Sequence, residues 1–288
     1  SSRHLITLSE EPRDLYNFGT LALEFNRASE ARAALERVVD SQPEHLSARA
    51  NLLAAYCETG DLDRAIELSR NVDVGRHPAS TVANFVCNLA TVYRDAGEPG
   101  QAMGLYGHAM ALCEGWHPVA ASNRLYAANF APSLTSAEIE SLHCEWGAQI
   151  AQRIVPDNRD DKYPTTKHER PRIAFLSGDF RRHSVAYFLE PVWEVLRQQV
   201  DLIAVDNSPH HDEVTDRLRE LASGWVTIRG LDDLDAARSI RAQDIDMLVD
   251  LSGHTAHNRL PLMARRLAPK QLSYLGYPNT TGLETVDA

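Results

Sequence analysis

The sequence lacks several features that would assign it to common protein classes. No stretch approaches the roughly 18 consecutive apolar residues of a membrane-spanning helix, so no membrane partner is expected. The N-terminus has no basic-then-apolar signal pattern, and we interpret residues 1–4 as a trimmed end. There are four cysteines and no CxxC pair, which predicts buried, reduced thiols in a cytoplasmic protein, or a nucleocytoplasmic one in a eukaryote.

Positive charge is also scarce. Lysine is missing from the first 155 residues, and the whole chain carries 29 Lys and Arg against 40 Asp and Glu, a formal net charge of −11. This excess of negative charge argues against nucleic acid as a partner, because phosphate backbones are bound mainly by Lys and Arg. The length of 288 residues predicts about two domains.

The first part of the chain repeats itself. Residues 51–66 resemble residues 88–103, their matching glycines are 37 residues apart, and Ala31 lies 34 residues before Ala65, which is the period of a tetratricopeptide repeat. Small residues such as Ala65 and Ala102 let paired helices approach closely, and Gly60 and Gly97 suit the turns between helices. The pattern therefore predicts a tetratricopeptide-repeat α-solenoid over residues 1–116, with a groove for peptide or protein partners.

Residues 117–155 are predicted to form capping or connecting helices. One helix is expected at 122–130, and a second begins at the capping-box pattern of Thr135 and Glu138 and continues toward Ile154. The polar stretch 156–171 contains three prolines and is interpreted as a linker.

From residue 172 onward, short apolar runs alternate with helical periodicity. We predict strands at 172–177, 200–206, 225–228, 246–251 and 271–275, with helices at 184–198, 212–222, 232–242 and 259–267. Ser184 is the expected N-cap of the first of these helices. Strict alternation implies a parallel sheet with helices on both faces, so residues 172–288 are predicted to be one Rossmann-like lobe.

Polar loops follow four of the predicted strands. Ligands of open parallel sheets bind beyond the carboxyl ends of the strands, so the loops at 178–184, 207–211, 252–258 and 276–282 are expected to form a site at one edge. They contain no dinucleotide fingerprint, P-loop or nucleophile elbow. Their histidine pairs lack acidic or cysteine companions at ligand spacing, so no metal is expected.

Three segments of this lobe resemble motifs of one enzyme family. They are SGDFRRHSVAYFLE (177–190), DLSGHTAHNRL (250–260), and RLAPKQ leading into LGYPNTTG (266–282). They are similar to the catalytic motifs of the O-linked N-acetylglucosamine transferases and, more closely, of the Spindly-type protein O-fucosyltransferases of plants. Repeats before the catalytic block fit the same family. The resemblance implies a GT-B glycosyltransferase, with residues 172–288 as its N-terminal catalytic lobe and the C-terminal lobe absent.

The family's reaction is an inverting, metal-independent transfer of a sugar from a nucleotide sugar to Ser or Thr hydroxyls of proteins, without a cofactor. By resemblance, His183 matches a proposed base or acceptor-site residue, and Asp179 matches an aspartate that would orient it or relay the proton. The alternative is that both merely brace or cap the loop. By the same resemblance, the wall beside the donor sugar is expected to consist of Leu275, Gly276, Tyr277 and Pro278. Thr280 and Thr281 are expected either to add hydroxyl contacts or to cap the following segment. For His254 and Asn258, on the neighbouring loop, only a supporting role is expected.

Two departures from the family pattern affect these expectations. The histidine-rich segment that supplies another active-site histidine in animal enzymes corresponds here to residues 116–122, with His117 alone, so no role is assigned to it. The groups that hold the diphosphate have no counterpart, so these 288 residues alone are expected to be inactive. The donor stays open between UDP-N-acetylglucosamine and GDP-fucose, with fucose favoured for a plant-like source. The alternative function is a non-catalytic scaffold, in which the repeats bind partners and the Rossmann-like lobe is a platform.

Overall fold

The computed structural model describes residues 11–154 and 168–288. The chain divides into two compact units, Ser1–Leu134 and Thr135–Ala288. This division falls inside the range 117–155 that the sequence assigned to connecting helices. Most of the predicted linker 156–171 lies outside the described residues. None of the described helices combines the length and the apolar character that crossing a membrane requires.

The first unit consists of helices that pack in consecutive pairs. Each helix contacts the next along the chain, and the first helices of adjacent pairs also contact each other. The described helices are α1 (Pro12–Glu24), α2 (Ala28–Ser41), α3 (Leu46–Thr59), α4 (Leu62–Leu68), α5 (Ala79–Asp95), α6 (Pro99–Ala111) and α7 (Pro118–Ala128). This arrangement confirms the predicted tetratricopeptide solenoid.

The repeat positions pack as their residue types predict. Ala31, Ala65 and Ala102 are completely buried, so each second helix lies close against its neighbours. Gly60 and Gly97 follow the first helices of two pairs with φ of +76° and +85°, a backbone conformation that favours glycine. Burial of one face of each helix holds the solenoid together.

Two predictions for the helical region are wrong in detail. Helix α7 begins at Pro118 rather than at residue 122, because His117 is its N-cap and Nδ1 of that ring accepts the Ala120 amide N–H at 3.2 Å. Cys87 is buried and Cys57 and Cys113 are half-buried, but Cys144 is exposed on a polar helix face. The prediction of uniformly buried thiols therefore fails for Cys144.

The second unit begins with helix α8 (Ser136–Arg153), and its N-terminus confirms the predicted capping box. The Thr135 side chain accepts the Glu138 amide N–H, and the Glu138 carboxylate accepts the Thr135 amide N–H at 2.7 Å. After the undescribed segment come β1 (Arg172–Ser177), α9 (Ser184–Leu196), β2 (Asp201–Asp206), α10 (Glu213–Leu221), β3 (Gly224–Thr227), α11 (Asp233–Arg241), β4 (Met247–Asp250), α12 (Leu260–Met263) and β5 (Lys270–Ser273).

The five strands form one parallel sheet in the order β3-β2-β1-β4-β5. This order confirms the predicted Rossmann-like lobe. The last residues of the strands lie in register: Asp206 pairs with Ser177 in β1 and with Thr227 in β3, while Asp250 pairs with Ser273 in β5. All five strands therefore end at one edge, which we call the carboxyl edge, and their following loops meet there.

Helices cover the sheet in two pairs, α9 with α10 and α11 with α12. The chain moves from β1 to one side of the sheet, through β2 to β3, and then to the other side, through β4 to β5. Because crossovers between parallel strands are right-handed, helices on connections that run in opposite directions lie on opposite faces. Trp193 of α9 packs at 5.4 Å from the ring of Phe175 in β1 and belongs to the core under the first pair. The lobe therefore has a sheet buried between two helix pairs, and the loops after its strands meet at the carboxyl edge.

Two local predictions for this lobe need correction. Ser184 is not the N-cap of α9; His183 holds that position, and Nδ1 of its ring accepts the Val185 amide N–H at 3.3 Å. Helix α12 covers only Leu260–Met263 instead of 259–267. It stops early because Arg266 adopts a left-handed φ of +48°, which breaks the helical turn.

Candidate functional site

The loop after β1 places Asp179 in a buried position with one cationic partner. The Asp179 amide N–H donates to Ser177 Oγ at 2.9 Å, which turns the chain sharply at the end of the strand. Arg181 donates from Nη2 to Asp179 Oδ1 at 3.0 Å. Both side chains are mostly withdrawn from solvent, at 7% and 17% exposed. Asp179 is therefore the carboxylate of a buried ion pair as well as a candidate catalytic group.

His183 lies four residues later at the start of α9, with 36% of its side chain exposed. Its Nδ1 is 3.8 Å from Asp179 Oδ2, which is too long for a hydrogen bond. Because the same Nδ1 accepts the Val185 amide N–H, the proton of the neutral ring resides on Nε2. In this arrangement the exposed side of His183 presents an N–H donor.

The loop after β2 is held by a second buried carboxylate, Asp206. Its Oδ2 accepts from His211 Nε2 at 2.6 Å and from Trp225 Nε1 at 3.2 Å, and its Oδ1 accepts the Ser208 amide N–H at 2.9 Å. Ser208 in turn accepts the Phe180 amide N–H at 3.1 Å. These bonds join the loop after β2 to the loop after β1.

The loop after β4 turns on Asp250, which is completely buried. Its carboxylate accepts the amide N–H of Gly253 at 2.7 Å and that of Ser252 at 3.3 Å. Burial nevertheless dominates and raises the pKa of Asp250 to about 6. The carboxylate therefore fixes the loop at the expense of its own solvation.

His254, on the same loop, is completely buried within an aromatic cluster. Its Nε2–H donates to the Thr281 carbonyl at 3.0 Å, and its ring centroid lies 4.5 Å from that of Trp146 and 5.3 Å from that of Tyr277. Burial lowers the pKa of His254 to about 3, so the ring is neutral. His254 therefore joins the loop after β4 to the segment after β5.

His143 was not among the residues predicted from the sequence, and it extends this cluster from helix α8. His143 Nδ1–H donates to the Ile139 carbonyl at 2.7 Å, and Nε2 accepts from the Tyr277 hydroxyl at 2.7 Å. Burial lowers the pKa of His143 as well. Backbones also meet here, because a Cβ added at Gly147 would lie 1.9 Å from the Gly282 carbonyl oxygen. The i, i+3 spacing of His143 and Trp146 on one helix face was the available signal.

The segment after β5 divides into buried and exposed members. Leu275, Pro278 and Thr280 are exposed, and Leu275 adopts a φ of +69° that is unusual for a branched side chain. Gly276 lies so close to the strand ends that an added Cβ would be 1.7 Å from the Leu251 carbonyl oxygen. The exposed members are thus the ones available to a ligand.

The side chains of Thr280, Thr281 and Asn258 form hydrogen bonds with backbone groups of the protein itself. Thr281 is buried and its Oγ1 accepts the Leu283 amide N–H at 3.3 Å, while Thr280 Oγ1 accepts the Gly282 amide N–H at 3.1 Å. Asn258 is half-buried, donates to the Thr255 carbonyl and accepts from the Leu260 amide. This geometry matches the capping interpretation of the threonines.

The structure therefore brings the sequence-predicted residues to one edge in two groups. Asp179 and His183 follow β1, and the segment 275–281 follows β5, with the loop after β4 between them. His254 is buried behind the second group, and the half-buried Tyr277 directs its hydroxyl toward His143. The catalytic and binding roles of these residues stay predictions.

Comparisons with known proteins agree with this geometry. Residues 149–288 match the profile of glycosyl transferase family 41, and residues 22–70 match that of the tetratricopeptide repeat. An Arabidopsis thaliana protein called "Probable UDP-N-acetylglucosamine--peptide N-acetylglucosaminyltransferase SPINDLY" is 38% identical over 58% of this chain. A Caenorhabditis elegans UDP-N-acetylglucosamine–peptide N-acetylglucosaminyltransferase is 25% identical over 44% of this chain.

A solved structure extends the similarity to nearly the whole chain. A variant of the Thermobaculum terrenum O-GlcNAc transferase has a TM-score of 0.81 and 30% identity, over 96% of this chain and 52% of that one. The matched regions make up 19% of the Arabidopsis protein and 11% of the nematode protein. The chain thus spans about half of the related structure and much less of these longer relatives.

Proposed function

Because this chain belongs to glycosyl transferase family 41 of the O-GlcNAc transferase and Spindly type through residues 149–288, we propose that it supplies the repeats and first catalytic lobe of a protein O-glycosyltransferase. The proposed reaction is an inverting, metal-independent transfer of a sugar from a nucleotide sugar to Ser or Thr hydroxyls. The repeats would bind the acceptor protein. A cytoplasmic location stays a prediction.

The observation that carries this proposal is the position of Asp179 and His183. Both lie at the carboxyl edge of the parallel sheet, where ligands of such sheets bind, and the exposed Leu275 and Pro278 occupy the same edge beyond β4. A sugar between these groups would have a titratable ring on one side and backbone and apolar contacts on the other.

The hydrogen bonds of His183 favour a specific role in that reaction. With its proton on Nε2, the ring suits hydrogen-bond donation to an oxygen of the substrate better than proton abstraction from the acceptor hydroxyl. Acting as the base would require Nδ1 to release the Val185 amide N–H first. Asp179, which pairs with Arg181, lies 3.8 Å from Nδ1 of the ring, where a carboxylate charge would stabilise an imidazolium.

The donor is proposed to be UDP-N-acetylglucosamine or GDP-fucose. The names of the curated relatives support the first, and the resemblance of residues 253–255 and 277–282 to the Spindly type supports the second for a plant-like source. A direct comparison of the two nucleotide sugars in a binding titration of the full-length protein decides between them.

The proposed function is tested by incubating the full-length protein with each donor and Ser- or Thr-containing peptides, and recording the mass shift of the peptide. We expect one sugar to be added, in the presence of EDTA as well as without it. His183→Asn is the sharpest variant, because Asn caps helices well and removes only the imidazole. It should retain the thermal stability of the parent and lose most of the activity.

His108→Asn is the matched control, since His108 is exposed on α6 in the other unit. Normal turnover by His183→Asn would refute the catalytic assignment. A full-length protein that binds partner proteins but transfers no sugar from either donor would instead favour the scaffold interpretation.

A further inference from the structure

Four consecutive loops at the carboxyl edge contribute cationic side chains or histidines, and we consider one from each loop. Arg181 follows β1, His210 follows β2, Arg229 follows β3 and His257 follows β4. The chain as a whole carries a net charge of −11, so a concentration of positive groups at one place is unusual for it. Apart from Arg181, which pairs with Asp179, the proposed chemistry uses none of them.

Close contacts hold three of these loops, those after β1, β2 and β4, against one another. Asn207 Nδ2 donates to the His257 carbonyl at 2.8 Å, and a Cβ at Gly178 would lie 2.6 Å from the Cβ of His257. His257 itself adopts a left-handed φ of +59°, which is uncommon for a residue with a side chain. The strained turn is therefore held in place by the neighbouring loops, as is typical of functional positions.

Several nitrogens at this place have no hydrogen-bond partner within the described residues. Arg181 Nε and His210 Nδ1 are buried and make no hydrogen bond. Arg229 is exposed and forms no hydrogen bond or ion pair with any residue that the structure describes. Buried nitrogens without acceptors cost free energy, so a site that leaves two of them unsatisfied suits an acceptor supplied by a ligand.

The pKa values of His210 and His257 are both lowered. Desolvation by the packed loops lowers the pKa of His257, and the charges of Arg229 and Arg181 lower it further, while Asp179 opposes them. Desolvation lowers the pKa of His210, followed by the charge of Arg181, while Asp212 opposes it. Asp179 and Asp212 are already engaged, with Arg181 and with backbone amides of α10. The charge of Arg181 therefore acts on both histidines, in addition to the effect of burial.

We propose that Arg181, His210, Arg229 and His257 form a binding site for one oxyanion. Its natural occupant is the carboxylate of an acidic residue beside the acceptor Ser or Thr of the peptide. The assignment to the acceptor follows from position, because Arg181 hydrogen-bonds Asp179 in the loop that carries His183. This identity of the occupant rests on the proposed function, whereas the oxyanion site itself does not.

Sulfate is the probe for the site, because its charge does not change between pH 5 and 8. The C2 protons of His210 and His257, assigned with the variants His210→Gln and His257→Gln, are titrated by NMR in sulfate and in chloride at equal ionic strength. We expect sulfate to raise the titration midpoints of both histidines, since a bound anion favours their protonated forms.

Arg229→Gln should remove most of this sulfate response, because it removes the partner-free cation of the site. Arg197→Gln is the matched control: the same charge is lost in the same lobe, but at the amino end of β2 and therefore at the opposite edge. Equal midpoints in sulfate and chloride would overturn the oxyanion site, as would a sulfate response that survives in Arg229→Gln.

The occupant is tested with paired peptides that carry Glu or Gln next to the acceptor Ser. The same histidine resonances report their binding without any turnover. We expect the Glu peptide to bind about threefold more tightly, the size of one screened ion pair, and the preference to disappear in Arg229→Gln but not in Arg197→Gln. Equal binding of both peptides refutes the acceptor assignment. Absence of sugar transfer alongside a clear preference would refute only the proposed function.

Discussion

His254 gives the second unit a pH dependence whose size follows from its burial. The ring is completely enclosed by Trp146, Tyr277 and the Thr281 carbonyl, and its pKa falls to about 3 in the folded protein. An unfolded chain would hold the same ring at an ordinary pKa of about 6.5. Below pH 6.5 the ring takes up a proton in the unfolded state but stays neutral in the folded state. The stabilising contribution of the buried neutral ring is therefore complete above pH 6.5 and is lost as the pH falls toward 3.

The magnitude between pH 7 and pH 5 can be worked from these two values. The unfolded ring is mostly neutral at pH 7 and mostly charged at pH 5, while the folded ring is neutral at both. The difference corresponds to about 2 kcal/mol of unfolding free energy lost on acidification. Buried Asp250 acts in the opposite direction, because its raised pKa makes the folded state retain a proton. The contribution of His254 must therefore be read from a variant and not from the parent alone.

The informative variants are His254→Phe and His254→Gln. Neither replacement titrates, but Gln retains an N–H donor for the Thr281 carbonyl and Phe does not, so their absolute stabilities should differ by about 1 kcal/mol. Both should show the same pH behaviour. The stability advantage of the parent over each variant should shrink by about 2 kcal/mol from pH 7 to pH 5.

The assay is urea unfolding followed by tryptophan fluorescence in a Trp116→Phe background. The remaining tryptophans, Trp146, Trp193 and Trp225, all lie in the second unit, so the signal reports that unit alone. A stability difference between parent and variants that stays constant between the two pH values would refute the burial argument. A difference that changes for His254→Phe alone would point to the lost hydrogen bond rather than to titration.

Three further perturbations test other parts of the structure. Gly253→Ala should lower the free energy of unfolding in urea by about 2 kcal/mol or more, because Gly253 has a φ of +53° and an added Cβ would lie 2.2 Å from the Tyr277 Cβ. The control Gly100→Ala should be neutral or stabilising, because the space around Gly100 is open. Equal effects of the two substitutions would contradict the packing argument. Ala65→Leu should overpack the helix contact at this completely buried position, lower the unfolding free energy of the first unit by about 1–3 kcal/mol and lower its thermal midpoint. An unchanged midpoint would show that the neighbouring helices can move apart to accept the larger side chain. The raised pKa of Asp250 makes its ionisation costly in the folded state, so the parent loses stability as the pH rises from 4 to 7 and Asp250→Asn does not. The unfolding free energy of Asp250→Asn should therefore increase relative to that of the parent by up to about 3 kcal/mol over this range. A difference in urea unfolding that does not change with pH would refute this.

Local signals predicted the elements of this fold well. The capping box at Thr135, the turn glycines Gly60 and Gly97, and the alternation of apolar runs after residue 172 each report on neighbours within a few residues along the chain. Because the carboxyl ends of parallel strands share an edge, the strand assignment alone predicted that the four polar loops meet there. These are the parts of a structure that short-range chemistry determines.

Long-range contacts were not accessible in the same way. His143 hydrogen-bonds Tyr277 across 134 positions of sequence, and no local pattern identifies such a partner. The N-cap of α9 was assigned to Ser184 because serine is a common cap, yet the chain direction places the His183 ring over the first turn. Within the described residues, Arg181 Nε and His210 Nδ1 lack hydrogen-bond partners because of how separate loops pack, which no local sequence pattern indicates.

Helix α8 has a consequence for recombining members of this family. Its His143 and Trp146 complete the packing around Tyr277 and His254, and its backbone at Gly147 touches the carbonyl of Gly282. A chimera that joins foreign repeats to this lobe between residues 155 and 171 would therefore exchange the helix that packs on Tyr277 and His254 together with the repeats. Crossovers placed just before Thr135 keep that helix native, and libraries built there should yield the larger share of folded hybrids.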